Sequence, residues 1–161
     1  MNSPNEPITL RYCPELRQRW PRPLADEWAL AYPEIFDADD LRQTVLQPRG
    51  HFYEWFVAIH LFESHGALSL IEKYGYRAHP RKVEFLDTFL SAEHCAFIRN
   101  FRAAFGVQPP DLFVYIPGTD RFWFAEVKGG RDRLRPLQRD SHVALAETLG
   151  THVQMFYVRP A

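Results

Sequence analysis

Asp111, Glu126 and Lys128 are the residues of this 161-residue chain whose types and spacing could do chemistry. They bracket two apolar runs, Leu112 to Ile116 and Phe122 to Val127, with Pro117-Gly118-Thr119-Asp120 between them. Aromatic and β-branched residues around a Pro/Gly/Asp turn predict a β-hairpin. With the turn centred on Gly118-Thr119, Ile116 faces Arg121 and Asp111 falls opposite Glu126. Opposed residues of an antiparallel pair share a face, with Cβ atoms about 4.5–5.5 Å apart. Side chains two apart on a strand also share one, so Lys128 joins Glu126. Opposed like charges destabilise a strand pair unless something compensates them, and a hard divalent cation is one compensation. Mg²⁺ takes oxygen ligands, typically one or two carboxylates with waters and substrate phosphate. A lysine beside it would orient water or offset charge developing on phosphate. The chemistry implied is phosphodiester hydrolysis.

Three stretches in order, Pro110-Asp111-Leu112, Phe124 to Gly129, and Asp132-Arg-Leu134-Arg-Pro-Leu-Gln138, resemble the PD-(D/E)XK nuclease superfamily. Within it the chain is similar to the VRR-NUC (virus-type replication-repair nuclease) domain family, over about residues 108 to 158. The resemblance implies an α/β fold with a restriction-endonuclease-like αβββαβ core and a mixed sheet. It implies a DNA endonuclease that uses Mg²⁺ or Mn²⁺. Asp111, Glu126 and the Val127 carbonyl would bind the metal, Lys128 would position water or phosphate, and Gln138 would orient the site. The superfamily often adds a glutamate from the helix before the first core strand. Glu54 matches that place early in its helix, and Glu63 is the alternative. Relatives include junction- and flap-processing enzymes, some of them homodimers, so branched DNA and a second copy of the chain are the expected partners.

The elements that must position these residues are legible from periodicity and capping. His51 to His65 reads as a helix apolar around most of its circumference, hence largely buried, with Gly66 ending it. Glu63 lies on its stripe with Phe52, Phe56 and Ile59, and Glu54 lies on the opposite side with Leu61. Ala67 to Tyr74 suits a first core strand, with a helix as the alternative. Pro80 breaks the pattern, and Val83–Leu90 and Ser91–Phe105 read as two helices, the second capped by Ser91 and ended by Gly106. This helical insertion, about 80–106, precedes the hairpin. Gly129-Gly130 allow a tight turn or the close approach of a substrate backbone. Pro136 opens a helix that runs to Leu149 and stops at Gly150, with His142 one turn beyond Gln138 on the same face. Thr151–Val158 is then a strand parallel to the one bearing Glu126.

Residues 1–50 hold seven of the thirteen prolines, with Trp20 and Trp28. They read as a partly helical extension packed on a nuclease domain at 51–161, with helices near Ala25–Tyr32 and, after Asp37, Asp39–Leu46. A net charge of −1 argues weakly against nucleic acid. The charges are unevenly distributed, however: Lys128, Arg131, Arg133, Arg135 and Arg139 crowd directly after the carboxylates. The four arginines are the candidate DNA contacts. Arg77, Arg81, Lys82, Arg99 and Arg102 are further candidates for phosphate contacts, with ordinary surface charge the simpler reading for most of them. Cys13 and Cys95 form no ligand pair and read as buried thiols. The seven histidines show no zinc spacing. No apolar run approaches the roughly 20 residues of a membrane span. The opening Met-Asn-Ser-Pro-Asn-Glu-Pro lacks a signal pattern, so a cytoplasmic location is expected. Two other functions share this sequence pattern: a DNase toxin domain, with an immunity protein as partner, and a nuclease fold that binds nucleic acid without cutting.

Overall fold

The hairpin forms with the expected register. In the computed structural model, which describes residues 3–76 and 78–161, β3 (Leu112–Tyr115) pairs antiparallel with β4 (Phe122–Gly129). Leu112 faces Ala125 and Tyr115 faces Phe122. The Ile116 N–H closes the turn on the Arg121 carbonyl at 3.1 Å. Three further strands complete one mixed sheet. β1 (Ile8–Tyr12) and β5 (Val153–Pro160) run parallel to β4, and β2 (Leu68–Ile71) pairs antiparallel with β3. The spatial order is β1-β5-β4-β3-β2. This is the α/β class with a mixed sheet that the sequence predicts.

Strand alternation divides the core into two clusters, one per face. Leu112, Val114, Ala125, Val127, Phe156 and Val158 pack against α2 (Leu24–Ala31) and the long helix α4 (Phe52–His65). Phe113 and Phe124 face the other way, towards α5 (Pro80–Phe89), α6 (Ala92–Arg99), α7 (Phe101–Phe105) and α8 (Pro136–Leu149). Glu126 and Lys128 keep phase with Phe124, so they project on the α8 side.

The structure corrects several local expectations. The proline-rich first fifty residues hold a strand, β1, besides α1 (Pro14–Gln18), α2 and α3 (Ala38–Leu46). The β2 strand stops at Ile71, and Glu72 and Lys73 adopt left-handed backbone at φ 42° and 52°. Pro80 begins a helix instead of only breaking a pattern, since the first turn needs no proline N–H. The helix expected over 91–105 is interrupted at Asn100, giving α6 and α7. Gly66, Gly106 and Gly150 close their helices in left-handed conformation, and Asp37 and Ser91 cap theirs, as the sequence predicts. Cys95 is buried but Cys13 is exposed, and both are free thiols. Among the described residues no helix is long and apolar enough to cross a membrane.

Candidate metal centre

One rung beyond Leu112↔Ala125, the ladder places Asp111 against Glu126. Asp111 does not only face that strand; its Oδ2 accepts the Val127 N–H at 2.8 Å. Lys128 Nζ lies 2.9 Å from Glu126 Oε1 and donates to Gln138 Oε1 at 3.2 Å. Gln138, in the first turn of α8, donates through Nε2 to the same Glu126 oxygen at 3.2 Å. Its own Oε1 also accepts the Arg135 N–H at 3.1 Å, which fixes the amide against the start of the helix. Glu126, Lys128 and Gln138 are all buried. His142 Nε2 sits 3.7 Å from Glu126 Oε2, is buried, and has no hydrogen-bond partner.

A second constellation shares Asp111. Glu54, Glu72 and Asp111 each offer a carboxylate oxygen, and the three atoms lie within 4.8 Å of one another. Ile71↔Leu112 is the last rung of β2 and β3, so Glu72 stands opposite Asp111 just as Asp111 stands opposite Glu126. The Glu72 N–H donates to the Asp111 carbonyl at 2.7 Å. Glu54 arrives from α4, on the far face of the sheet, and meets them at the sheet's end. Glu72 is held from behind by His51, whose Nδ1 is 2.8 Å from Oε2, and His51 Nε2 meets Gln47 Oε1 at 2.9 Å. His51, Glu72 and Lys73 are the positive-φ non-glycine residues among those described, and they cluster here. Backbone in that region is costly for a side-chain residue and is retained where surrounding structure enforces it.

Burial sets the electrostatics. It raises the Asp111 carboxyl well above the usual carboxylate range, and Glu126, Glu54 and Glu72 raise it further, while the Val127 N–H opposes them. Burial likewise pushes Glu54 up to about 7, with the Glu72 charge adding to it. Glu126 is raised by burial despite the ammonium beside it. For Lys128, burial disfavours the charge, but Glu126, Asp132 and Asp111 outweigh it and hold the ammonium above its ordinary value. Burial, then the Lys128 charge, depress His142 to about 4, so its contact with Glu126 is not an ion pair at neutral pH. Burial also opposes charge on His51, yet Glu72 prevails and holds it above its ordinary value.

The donor set is oxygen only, and Glu54 Oε2 is buried without a hydrogen-bond partner. Three mutually repelling carboxylates with an unsatisfied oxygen fit a hard cation such as Mg²⁺, Mn²⁺ or Ca²⁺. Of the residues singled out from sequence, the fold therefore brings together Asp111, Glu54, Glu126, Lys128 and Gln138. Glu63 is exposed and bonds the Tyr32 hydroxyl, away from the cluster. The Val127 side chain is core, and its N–H serves Asp111. Arg131, Arg133, Arg135 and Arg139 are exposed just past β4 and along the start of α8.

Lys82, by contrast, is only 2% exposed and is bound to Asp40. Arg81 pairs with Asp37 and Asp40, and Arg99 with Asp87. Arg77 lies outside the described residues. Gly129 does take a close approach, but from protein: a Cβ there would overlap the Tyr53 ring. Gly130, at φ 57°, supplies the turn. Sequence reasoning misses Glu72. Its only signal is its level in the β2–β3 ladder, which no local turn announces. No protein-family model matches this chain, and no curated protein matches it.

Proposed function

We propose that the protein is a metal-dependent DNA endonuclease that hydrolyses phosphodiester bonds, acting on branched, junction or flap DNA in repair or replication. The observation that carries this reading is the shared position of Asp111. It belongs at once to an oxygen cluster with Glu54 and Glu72 and to a cross-strand pair with Glu126, whose lysine and glutamine are fixed beside it. Mg²⁺ or Mn²⁺ would be held by Asp111, Glu54 and Glu72, with Glu126 and the Val127 carbonyl on the other side. A bound cation of this kind polarises a phosphoryl oxygen and lowers the pKa of its water. Lys128 keeps its charge and presents it to the anionic oxygens. Gln138 holds Lys128 and Glu126 in register through both ends of its amide. The exposed Arg131, Arg133, Arg135 and Arg139 bind phosphates on either side, so binding weakens steeply with salt. A homodimer would set two such sites on opposed strands of a junction.

The test is cleavage of an end-labelled four-way junction, a 5′ flap and a linear duplex in Mg²⁺, in Mn²⁺ and in chelator. Cleavage is expected only with metal, and faster on the branched substrates. Asp111→Asn, Glu126→Gln and Lys128→Ala should each lower it at least about hundredfold, the scale of removing one electrostatic stabiliser. Near wild-type rates in any of the three, from clean preparations, would reject the assignment.

A further inference from the structure

A cavity of about 220 Å³ opens beside the carboxylates, between the turn after β2 and the segment leading into β3. Glu72 and Asp111 line it, so its inner wall is also the edge of the oxygen cluster. Pro109 and Pro110 form an apolar wall. Tyr76, 37% exposed, closes the outer side and donates its hydroxyl to Gln108 Oε1 at 2.5 Å. Deeper in, Tyr74 is buried with its hydroxyl on the Pro110 carbonyl at 2.6 Å, so it offers its ring and no free polar group.

We propose that this cavity receives one unpaired nucleobase of the strand whose phosphate lies at the carboxylates, so that the enzyme cuts beside an unstacked nucleotide. The inference rests on the nuclease reading above and gives it a substrate feature. Three observations select the occupant. The lining is mixed in charge, Glu72 and Asp111 with Lys73, which suits an uncharged heterocycle with polar edges better than a purely anionic group. The volume is below the roughly 300–1,000 Å³ of sites for drug-sized ligands, which suits one flat ring system and not a peptide. A base has apolar faces for the prolines and Tyr76, and a polar edge for the Gln108 amide, whose Nε2 can donate beside the oxygen that the Tyr76 hydroxyl engages. Stacking on an aromatic ring tolerates any base, so the pocket reads unpairedness more than sequence. Extrusion is easiest for a base already mismatched or single-stranded, as at a flap, bulge or junction.

The experiment compares two end-labelled duplexes of one sequence, fully paired or carrying one bulged nucleotide, cleaved in Mn²⁺. A parallel measurement places 2-aminopurine at the bulge and follows its fluorescence on binding in Ca²⁺. Wild type should cut beside the bulge about tenfold faster than the paired duplex, the scale of one base–aromatic stack. Tyr76→Ala should lose most of that preference, cutting the bulged duplex little faster than the paired one, and should weaken the fluorescence change. Tyr76→Phe, which keeps the ring and loses the Gln108 bond, should retain both. Equal cutting of the two duplexes by wild type, or a fluorescence change indifferent to Tyr76→Ala, overturns the inference while metal-dependent cleavage leaves the nuclease reading intact. Absence of cutting on either duplex rejects the nuclease reading, and the fluorescence arm then decides the cavity: no change on binding overturns it too.

Discussion

Asp111 concentrates the electrostatic conflict of the molecule. Its side chain is half-buried, faces Glu126 across one strand pair and Glu72 across the other, and has Glu54 within reach. Its one favourable contact described, the Val127 N–H, could be kept by an asparagine oxygen. Asp111→Asn should therefore melt higher than wild type in chelator. Wild type should gain about 2.7 kcal/mol from Mg²⁺ at a hundredfold excess over its dissociation constant, and the variant much less. Thermal melts of both proteins with and without metal check this, and a variant that melts lower in chelator would contradict it. The pH dependence has the same origin. A carboxyl whose folded pKa is raised favours the fold while protonated, and that contribution is lost as pH rises through the folded value. Glu54, at about 7, sets the window. In chelator the melting temperature should fall between about pH 4.5 and 7, and Mg²⁺ should reverse the fall at its upper end.

At the scale of elements, the loop that carries Glu72 is braced by a helix that the sequence assigns to an insertion. Lys82 of α5 reaches inward and donates to Asp40 of α3 at 2.9 Å, to the Ile71 carbonyl, and to the Glu72 carbonyl at 3.2 Å. Asp40 is itself the third residue of the α3 capping box, exchanging hydrogen bonds with Asp37. One ammonium thus ties α3, α5 and the end of β2 together behind the carboxylates. Removing one partner of a buried pair leaves the other charge uncompensated, at roughly 3–5 kcal/mol. Lys82→Met should lower the urea midpoint accordingly and weaken Mg²⁺ binding through Glu72, with Lys82→Met/Asp40→Asn recovering part of the stability. An unchanged midpoint in the single variant would mean the brace contributes nothing.

At the scale of the whole molecule, residues 3–50 are part of the core and not an appendage to it. Trp20, Leu24, Ala25, Ile35 and Phe36 are buried with α4, and the Phe36 ring stacks on Trp55 with centroids 3.7 Å apart. The β1 strand adds a parallel neighbour to β5 from Ile8↔Phe156 to Tyr12↔Pro160. A fragment of residues 51–161 would expose the Trp55 and Phe52 faces together with the β5 edge, an aggregation liability. It should lack a cooperative thermal transition and bind a hydrophobic dye, whereas the full chain should unfold in one step. A fragment that melts cooperatively at the full-length temperature would show the segment to be accessory.

The sequence by itself determined the hairpin and everything that depends on its turn. A tight turn at Gly118-Thr119 fixes every rung outward, so the turn and the residue spacing suffice to put Asp111, Glu126 and Lys128 on one face. Helix ends are legible for the same reason: caps at Asp37 and Ser91 and left-handed glycines at 66, 106 and 150 are local devices. Tertiary structure decided what crosses long sequence separations. β2 and β3 are joined through three helices with no tight turn to set their register, so nothing local reveals Glu72 at the level of Asp111. The five residues of β1, Ile-Thr-Leu-Arg-Tyr, do alternate, but the run is short and set among prolines, and what makes it a strand is the open edge of β5 far along the chain. Lys82 reads as surface charge because its partners, Asp40 and two carbonyls at the end of β2, are brought to it only by folding. Gly129 shows the same limit: its missing side chain is readable, but only packing reveals the Tyr53 ring that requires the space.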